Sequence, residues 1–290
     1  MKVAFPAGVR IASLPDDVMP YDEGLAIDAE GHIWGWGSNP FGDALCLKTR
    51  APLLTPVKLP LRHVTAAAGA AGHAVYLSDG HAVACGSNFF GELGDGSRAA
   101  SSTPVRVRLP RGATVARLTA SWTNSGALLA NGTYYNWGYN FQGQLGQGTR
   151  GLSAFSTIPL RVNLPGPVRD VSLGGSVPTN GQTLALLKNG DLYAWGDGYQ
   201  YQLGTGTTAS QPLPVRVPLP GGLNFTKIAT SGATSYGITA EGKLYAWGDN
   251  LLGSVGDGTN EKVPAPVFIT SGADTISGTA YDVAISRRNT

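Results

Sequence analysis

The sequence is poor in charge. Charged residues make up 14% of the 290 residues, against roughly 25% in an average soluble domain. The 21 basic and 19 acidic residues leave a net charge of +2, which creates no broad field to steer a nucleic acid or an anionic membrane towards the protein. Because no run of 18 apolar residues is present either, a membrane-spanning helix is not expected. We therefore predict neither nucleic acid nor a membrane as a partner.

Cysteine and histidine are also scarce. The two cysteines, Cys46 and Cys85, are too few for a disulfide framework, and the four histidines do not combine with them into a spaced zinc set. The sequence contains no nucleophile elbow, no His-Glu-x-x-His pattern and no phosphate-binding loop. We predict that the chain is not an enzyme and takes no metal or other cofactor.

Glycine is the residue in excess. The chain has 41 glycines and 19 prolines, and 42% of its residues are hydrophobic. This glycine content is about twice the usual ~7%, and it lacks the three-residue period of collagen. The composition indicates a globular chain with many short elements joined by tight turns.

One motif occurs five times along the chain, at spacings of 49, 52, 58 and 52 residues. Its members are Trp36-Gly37-Ser38-Asn39, Cys85-Gly86-Ser87-Asn88, Trp137-Gly138-Tyr139-Asn140, Trp195-Gly196-Asp197-Gly198 and Trp247-Gly248-Asp249-Asn250. Each repeat closes with a proline and alternating apolar residues, as in Pro104-Val105-Arg106-Val107. An internal period of this length indicates a repeat architecture.

Within a repeat the apolar residues alternate, which predicts strands. In the second repeat we expect strands over 64–68, 73–77, 82–86 and 105–109, with an Asp79-Gly80 hairpin turn between the second and third. Four antiparallel strands in about fifty residues are typical of a β-propeller blade.

The repeats resemble the regulator of chromosome condensation (RCC1) family, whose motif reads W-G-x-N-x-x-G-Q-L-G-x-G. The best match is WGYNFQGQLGQG, residues 137–148. The resemblance implies seven blades, whereas five complete repeats are visible. Because Lys2–Pro6 reads like a closing strand and Thr275–Ser286 like two opening strands, we predict an all-β, single-domain propeller over residues 1–290 with six blades, one of them shared by the termini. A fragment of a longer seven-bladed protein is the alternative.

The repeated residues have structural explanations. Trp36, Trp137, Trp195 and Trp247 recur at one position and are predicted to pack each blade against its neighbour. Cys85 stands at that same position and is interpreted as a packed thiol. His73 opens a second strand and is likewise predicted to be packed.

A candidate contact surface follows from topology. Antiparallel alternation places the loops after the first and third strands of every blade on one face. Aromatic and apolar residues concentrate there, and they form the predicted protein-binding site: Phe89, Phe90, Trp122, Tyr139, Phe141, Tyr199, Tyr201 and Leu251. We expect about half of these side chains to be exposed, with Trp122, Tyr139, Tyr199 and Tyr201 foremost.

The resemblance implies several functions, among them nucleotide exchange on a small nuclear GTPase, light sensing and β-lactamase inhibition by secreted bacterial proteins. Fold does not choose among them. We predict a monomeric, non-enzymatic protein-binding scaffold, with a secreted bacterial binding or inhibitor-like role favoured. An enzyme or a carbohydrate-binding lectin on the same face, or an exchange-factor-like regulator, are the alternatives.

Overall fold

The computed structural model describes residues 3–15, 23–37, 39, 45–49, 51–70, 72–175, 181–270, 273–278 and 283–287. These residues form 22 strands joined by turns and irregular segments, without any helix. Among them there is accordingly no helix that could cross a bilayer. The prediction of an all-β chain is confirmed.

The strands form five four-stranded antiparallel sheets and one two-stranded sheet, and in each the spatial order follows the chain order. Sheet 1 contains β1 (Ile11–Ser13), β2 (Glu23–Asp28), β3 (Ile33–Gly37) and β4 (Leu53–Lys58). Sheet 2 contains β5 (Val64–Ala70), β6 (His73–Ser78), β7 (His81–Gly86) and β8 (Ser101–Arg106). Sheet 3 contains β9 (Val115–Ser121), β10 (Asn124–Leu129), β11 (Tyr134–Tyr139) and β12 (Phe155–Arg161).

Sheet 4 contains β13 (Val168–Leu173), β14 (Gln182–Leu187), β15 (Leu192–Gly196) and β16 (Gln211–Arg216). Sheet 5 contains β17 (Phe225–Ser231), β18 (Thr234–Thr239), β19 (Leu244–Gly248) and β20 (Val263–Thr270). The two-stranded sheet consists of β21 (Ala273–Gly278) and β22 (Val283–Arg287). We call the four strands of a complete sheet A to D in chain order.

Two predicted strands differ from the structure. The D strand of sheet 2 runs over Ser101–Arg106 rather than 105–109, because Arg108 leaves the ladder and its N–H bonds to the carbonyl of Gly94. The expected strand over Lys2–Pro6 is wrong, since residues 3–6 form no strand. Phe5 instead packs edge-on against Trp34 and Trp36, with ring centroids 6.1 and 5.6 Å away. Pairing between the chain ends is therefore not found among the described residues.

The chain divides into two compact units. The first comprises residues 1–130, 135–139 and 155–160, and the second comprises residues 131–134, 140–154 and 161–290. Buried apolar clusters join sheet 1 to sheet 2 and sheet 2 to sheet 3 within the first unit, and sheet 4 to sheet 5 within the second. Whether the chain behaves as a single domain stays a prediction.

Three of the four repeated tryptophans are core residues, as predicted. Trp137, Trp195 and Trp247 are fully buried. Each indole Nε1 donates to a backbone carbonyl in the loop that follows the C strand of the preceding repeat: Glu92 at 2.7 Å, Gln144 at 2.9 Å and Gln202 at 3.0 Å. Trp36 is only half-buried.

The prediction that Cys85 is a packed thiol is wrong. Cys85 forms a disulfide bond with Cys46, 39 residues earlier in the chain. Spacing along the sequence could not show this, because the two residues meet only when sheet 1 and sheet 2 pack together.

Candidate protein-interaction site

The loops between strands C and D are braced from within by an asparagine that three of the repeats share. The Asn140 side chain accepts the N–H of Leu145 at 2.9 Å and donates to the carbonyl of Thr149 at 2.9 Å. Asn88 and Asn250 make the same pair of contacts in their own loops. Because these bonds span each loop from within, the loop conformation is set before any ligand binds.

Three of these loops are also hydrogen-bonded to the next sheet. The Gly148 N–H donates to the carbonyl of Pro212 at 2.7 Å, and the Gly206 N–H donates to the carbonyl of Pro264 at 3.0 Å. In the first unit Gly96 donates to Thr157 at 2.8 Å. Side chains at the loop tips therefore project from a preorganised backbone, which lowers the entropy cost of binding.

Exposed apolar residues occupy one position of the repeat, four residues after the tryptophan or its cysteine substitute. Phe89 is 68% exposed, Tyr199 is 59% exposed and Leu251 is 69% exposed. Phe141 stands at the same position and is half-buried. The sequence had placed all four among the candidate contact residues.

The other candidates are less available than expected. Tyr139 was predicted to be exposed, but it is only 4% exposed, because its ring stacks on Phe90 with centroids 4.1 Å apart. Trp122, Tyr201 and Phe90 are half-buried. Side-chain packing between neighbouring repeats thus removes Tyr139 from the contact surface.

The sequence places Leu252 on the same loop face beside Leu251, and Leu252 is 94% exposed. The repeat equivalents of Leu252 are Phe90, Gln142 and Gln200. An adjacent leucine pair on a solvent-facing loop is an unusual apolar exposure.

Two acidic side chains of these loops, Glu92 and Asp197, are buried and do not belong to the exposed surface. Burial raises the pKa of Glu92 to about 7, although the N–H of Phe90 and the charge of Arg98 act to lower it. Burial also raises the pKa of Asp197, against hydrogen bonds from Tyr199 and Gln202. Glu92 stands where the third and fourth repeats have Gln144 and Gln202, whose side chains accept the same backbone N–H from the residue two positions earlier.

One group of possible metal-ligand atoms lies elsewhere, on the β2–β3 hairpin. Single atoms of Asp28, Glu30 and His32 lie within 4.8 Å of one another. The Asp28 carboxylate also accepts the indole N–H of Trp34 at 2.8 Å and the backbone N–H groups of Glu30 and His32. These bonds explain the cluster as the closing network of a hairpin turn.

Two grooves of about 340 and 370 Å³ lie in the second unit, at the opposite ends of the strands from the exposed loops. The smaller groove is lined by Arg169, Leu223, Glu241, Lys243 and Tyr245, among others. None of the eight predicted contact residues lines either groove. The lectin and enzyme alternatives, which require aromatic and acidic groups around a pocket on the loop face, gain no support from these two grooves.

Comparison with known proteins agrees with this architecture. The regulator of chromosome condensation (RCC1) repeat matches residues 131–177 and 189–237, and a second model of the same repeat matches residues 225–254. The structure of Prp20p from Saccharomyces cerevisiae superimposes with a TM-score of 0.79 at 21% identity, over 96% of this chain and 68% of that chain. The chain is an RCC1-repeat protein with an RCC1-like β-propeller fold.

Relatives of this RCC1-repeat chain have diverse names. It is 32% identical over 272 residues to the RCC1 domain-containing protein RUG3, mitochondrial, of Arabidopsis thaliana, covering 87% of this chain and 59% of the relative. It is 28% identical over 238 residues to the ultraviolet-B receptor UVR8 of the same plant, covering 81% and 52%. Human WBSCR16 superimposes with a TM-score of 0.77 at 20% identity, over 92% of this chain and 70% of that chain. The chain thus spans between half and three fifths of the length of these curated relatives.

Proposed function

We propose that this RCC1-repeat protein is a non-enzymatic protein-binding scaffold that contacts its partner through the loops between strands C and D. The observation that carries the proposal is the exposed apolar residue at one repeat position, seen at Phe89, Tyr199 and Leu251, with Leu252 beside the last. Large apolar side chains on preorganised loops supply contact area at low entropy cost.

The relatives support a protein partner. The study of Prp20p names binding to Gsp1p and histones, and a further structure shows yeast RCC1 bound to Kap60. HERC2, which is 31% identical over 208 residues, is named an E3 ubiquitin-protein ligase, and this chain covers 4% of its length. Both structures contain the same yeast protein, Prp20p, and protein binding is the one property that we extend from it to this chain. The secreted bacterial and inhibitor-like role stays a prediction, as does the monomeric state.

Site-specific photo-crosslinking tests the proposal. A photoreactive phenylalanine analogue at position 199 or 251 should trap a protein partner, whereas the same analogue at Leu213 should not. Leu213 is a matched control because it is 54% exposed but lies on the D strand β16. Equal crosslinking from positions 199 and 213 would contradict the proposal that the partner binds through these loops.

Affinity then measures the contribution of the surface. Replacing Tyr199 and Leu251 together by alanine should weaken binding of the trapped partner by more than about 2 kcal/mol, the range of interface hot spots. The melting temperature should hardly change, because both side chains are exposed. Alanine at Arg106 and Arg108, both exposed near the end of β8, should leave binding normal.

A further inference from the structure

Trp137, Trp195 and Trp247 each pack against a glycine of the preceding loop. A methyl group added to Gly94 would lie 2.7 Å from Nε1 of Trp137. The corresponding distances are 3.0 Å from Gly146 to Trp195 and 2.7 Å from Gly204 to Trp247. These distances are shorter than a normal van der Waals contact, so the large indole is accommodated only because its neighbour lacks a side chain.

Between sheet 1 and sheet 2, both members of this pair are cysteine. Cys85 occupies the tryptophan position on β7, and Cys46 follows Leu45 just as Gly94 follows Leu93. Cys46 also adopts the left-handed backbone of that glycine, with φ of 53° compared with 64° for Gly94. The disulfide bond therefore joins the two points that a tryptophan–glycine contact joins in the other repeats.

The hydrogen bonds of that contact are replaced as well. In sheets 3 to 5 a hydroxyl group, from Ser125, Thr183 or Ser235, donates to the same carbonyl as the tryptophan. In sheet 2 the cross-strand partner of Cys85 is Ala74, whose side chain has no hydrogen-bond donor. The indole and the hydroxyl of the three described tryptophan junctions are thus absent between sheet 1 and sheet 2, and the sulfur–sulfur bond stands in their place.

We propose that the Cys46–Cys85 bond is the functional substitute for the tryptophan–glycine contact, so that oxidation of the chain stabilises the packing of the first two sheets. The oxidant is a thiol–disulfide oxidoreductase of the compartment in which the chain folds. One cysteine thiolate attacks the disulfide of the oxidoreductase and forms a mixed disulfide. The second thiolate of the chain then attacks the sulfur of the first cysteine in this mixed disulfide. The oxidoreductase leaves as a dithiol that carries the two electrons.

Burial defines the role of the bond. Cys85 is 0% exposed and Cys46 is 3% exposed, within a cluster that includes Leu45, Leu59 and Tyr76. Because neither sulfur is accessible in the folded chain, the bond is permanent and structural rather than a reversible switch. Structural disulfides persist in oxidising compartments, so the inference also assigns the chain to folding outside a reducing cytosol.

Two variants and one thiol measurement test this inference. The variant C46G/C85W introduces the tryptophan–glycine pair found in the other repeats. The variant C46S/C85S removes the disulfide bond without introducing that pair. Urea unfolding of the full chain is measured with and without a reducing agent, and thiols of the wild-type chain are labelled with a maleimide in denaturant before and after reduction.

The wild-type chain should show no maleimide labelling before reduction and labelling of both cysteines after it. Its urea midpoint should fall in the presence of the reducing agent to that of C46S/C85S. The midpoint of C46G/C85W should lie above that of C46S/C85S and should not respond to the reducing agent.

Two results would overturn the inference: labelling of both cysteines in wild-type chain isolated from an oxidising compartment, or a wild-type urea midpoint that does not respond to full reduction. If C46G/C85W does not fold, the thiol labelling and the wild-type urea midpoint still test the inference. These readouts are independent of partner binding, so they separate this inference from the proposed function.

Discussion

The indole Nε1 of Trp137 donates a 2.7 Å hydrogen bond to the backbone carbonyl of Glu92, and the hydroxyl of Ser125 donates to the same oxygen at 2.9 Å. One carbonyl of a loop thus receives two donors from the following sheet. The same arrangement recurs at Gln144 and Gln202 in the second unit. A buried carbonyl satisfied in this way links packing and hydrogen bonding at these three junctions.

Replacing Trp137 by alanine should lower the free energy of unfolding by about 3–5 kcal/mol, because it removes a buried aromatic ring and leaves a cavity. Replacing Trp36 should cost less, since Trp36 is half-buried. Urea unfolding of the two variants measures the difference. Equal losses would show that the junction contact of Trp137 adds nothing to ordinary ring burial.

Glu92 should make stability depend on pH. Burial raises its pKa in the folded chain from 4.5 to about 7, so the folded state prefers the protonated carboxyl. This contribution is complete below about pH 4.5 and is lost as the pH rises to about 7, with a magnitude of up to about 3 kcal/mol. The variant Glu92→Gln, which restores the amide of Gln144 and Gln202, should remove that slope from urea midpoints between pH 4.5 and 8. An unchanged slope would contradict the assignment.

His73 should act in the opposite direction. Its ring is buried, its Nε2 lies 2.9 Å from the Ser125 hydroxyl, and burial lowers its pKa from 6.5 to about 4. The folded state therefore prefers the neutral ring. Its contribution is complete above about pH 6.5 and is lost as the pH falls to about 4. NMR titration of the ring should show no protonation at pH 5.5, and protonation near pH 6.5 would refute the prediction.

Gly143 and Gly222 offer a matched test of close packing. Both have left-handed backbones, with φ of 89° and 78°. A methyl group at Gly143 would lie 2.5 Å from the Cα of Pro212, whereas at Gly222 it would meet open space. Gly222→Ala should cost about 1–2 kcal/mol from backbone strain alone, and Gly143→Ala should cost clearly more in urea unfolding. Equal losses of stability would show that the β16 backbone moves away from the added methyl group without an energetic cost.

Local pattern predicted most of the fold because each repeat is built from short-range signals. Alternating apolar residues located the strands, and turns such as Asp79-Gly80 located the hairpins, with Asp79 and Gly80 both at positive φ. Recurrence of Trp137 and Trp195 at one position predicted their burial. The resemblance of residues 137–148 to one repeat motif predicted the family.

Contacts between repeats were not predictable in the same way. The exposure of Tyr139 depends on whether Phe90, from another repeat, covers its ring. The solvent exposure of Leu252 depends on what packs beside its loop. A single repeat motif cannot indicate either property, because both are set by a neighbouring segment.

The sequence by itself determined the period, the strands and the residues that each repeat presents to its neighbours, because these follow from backbone preferences and apolar alternation over a few residues. Only the tertiary structure decided that Cys46 and Cys85 are bonded and that Tyr139 is covered while Tyr199 is exposed. Those outcomes depend on distances between segments about forty or more residues apart, which arise when the apolar faces of adjacent sheets are buried against each other.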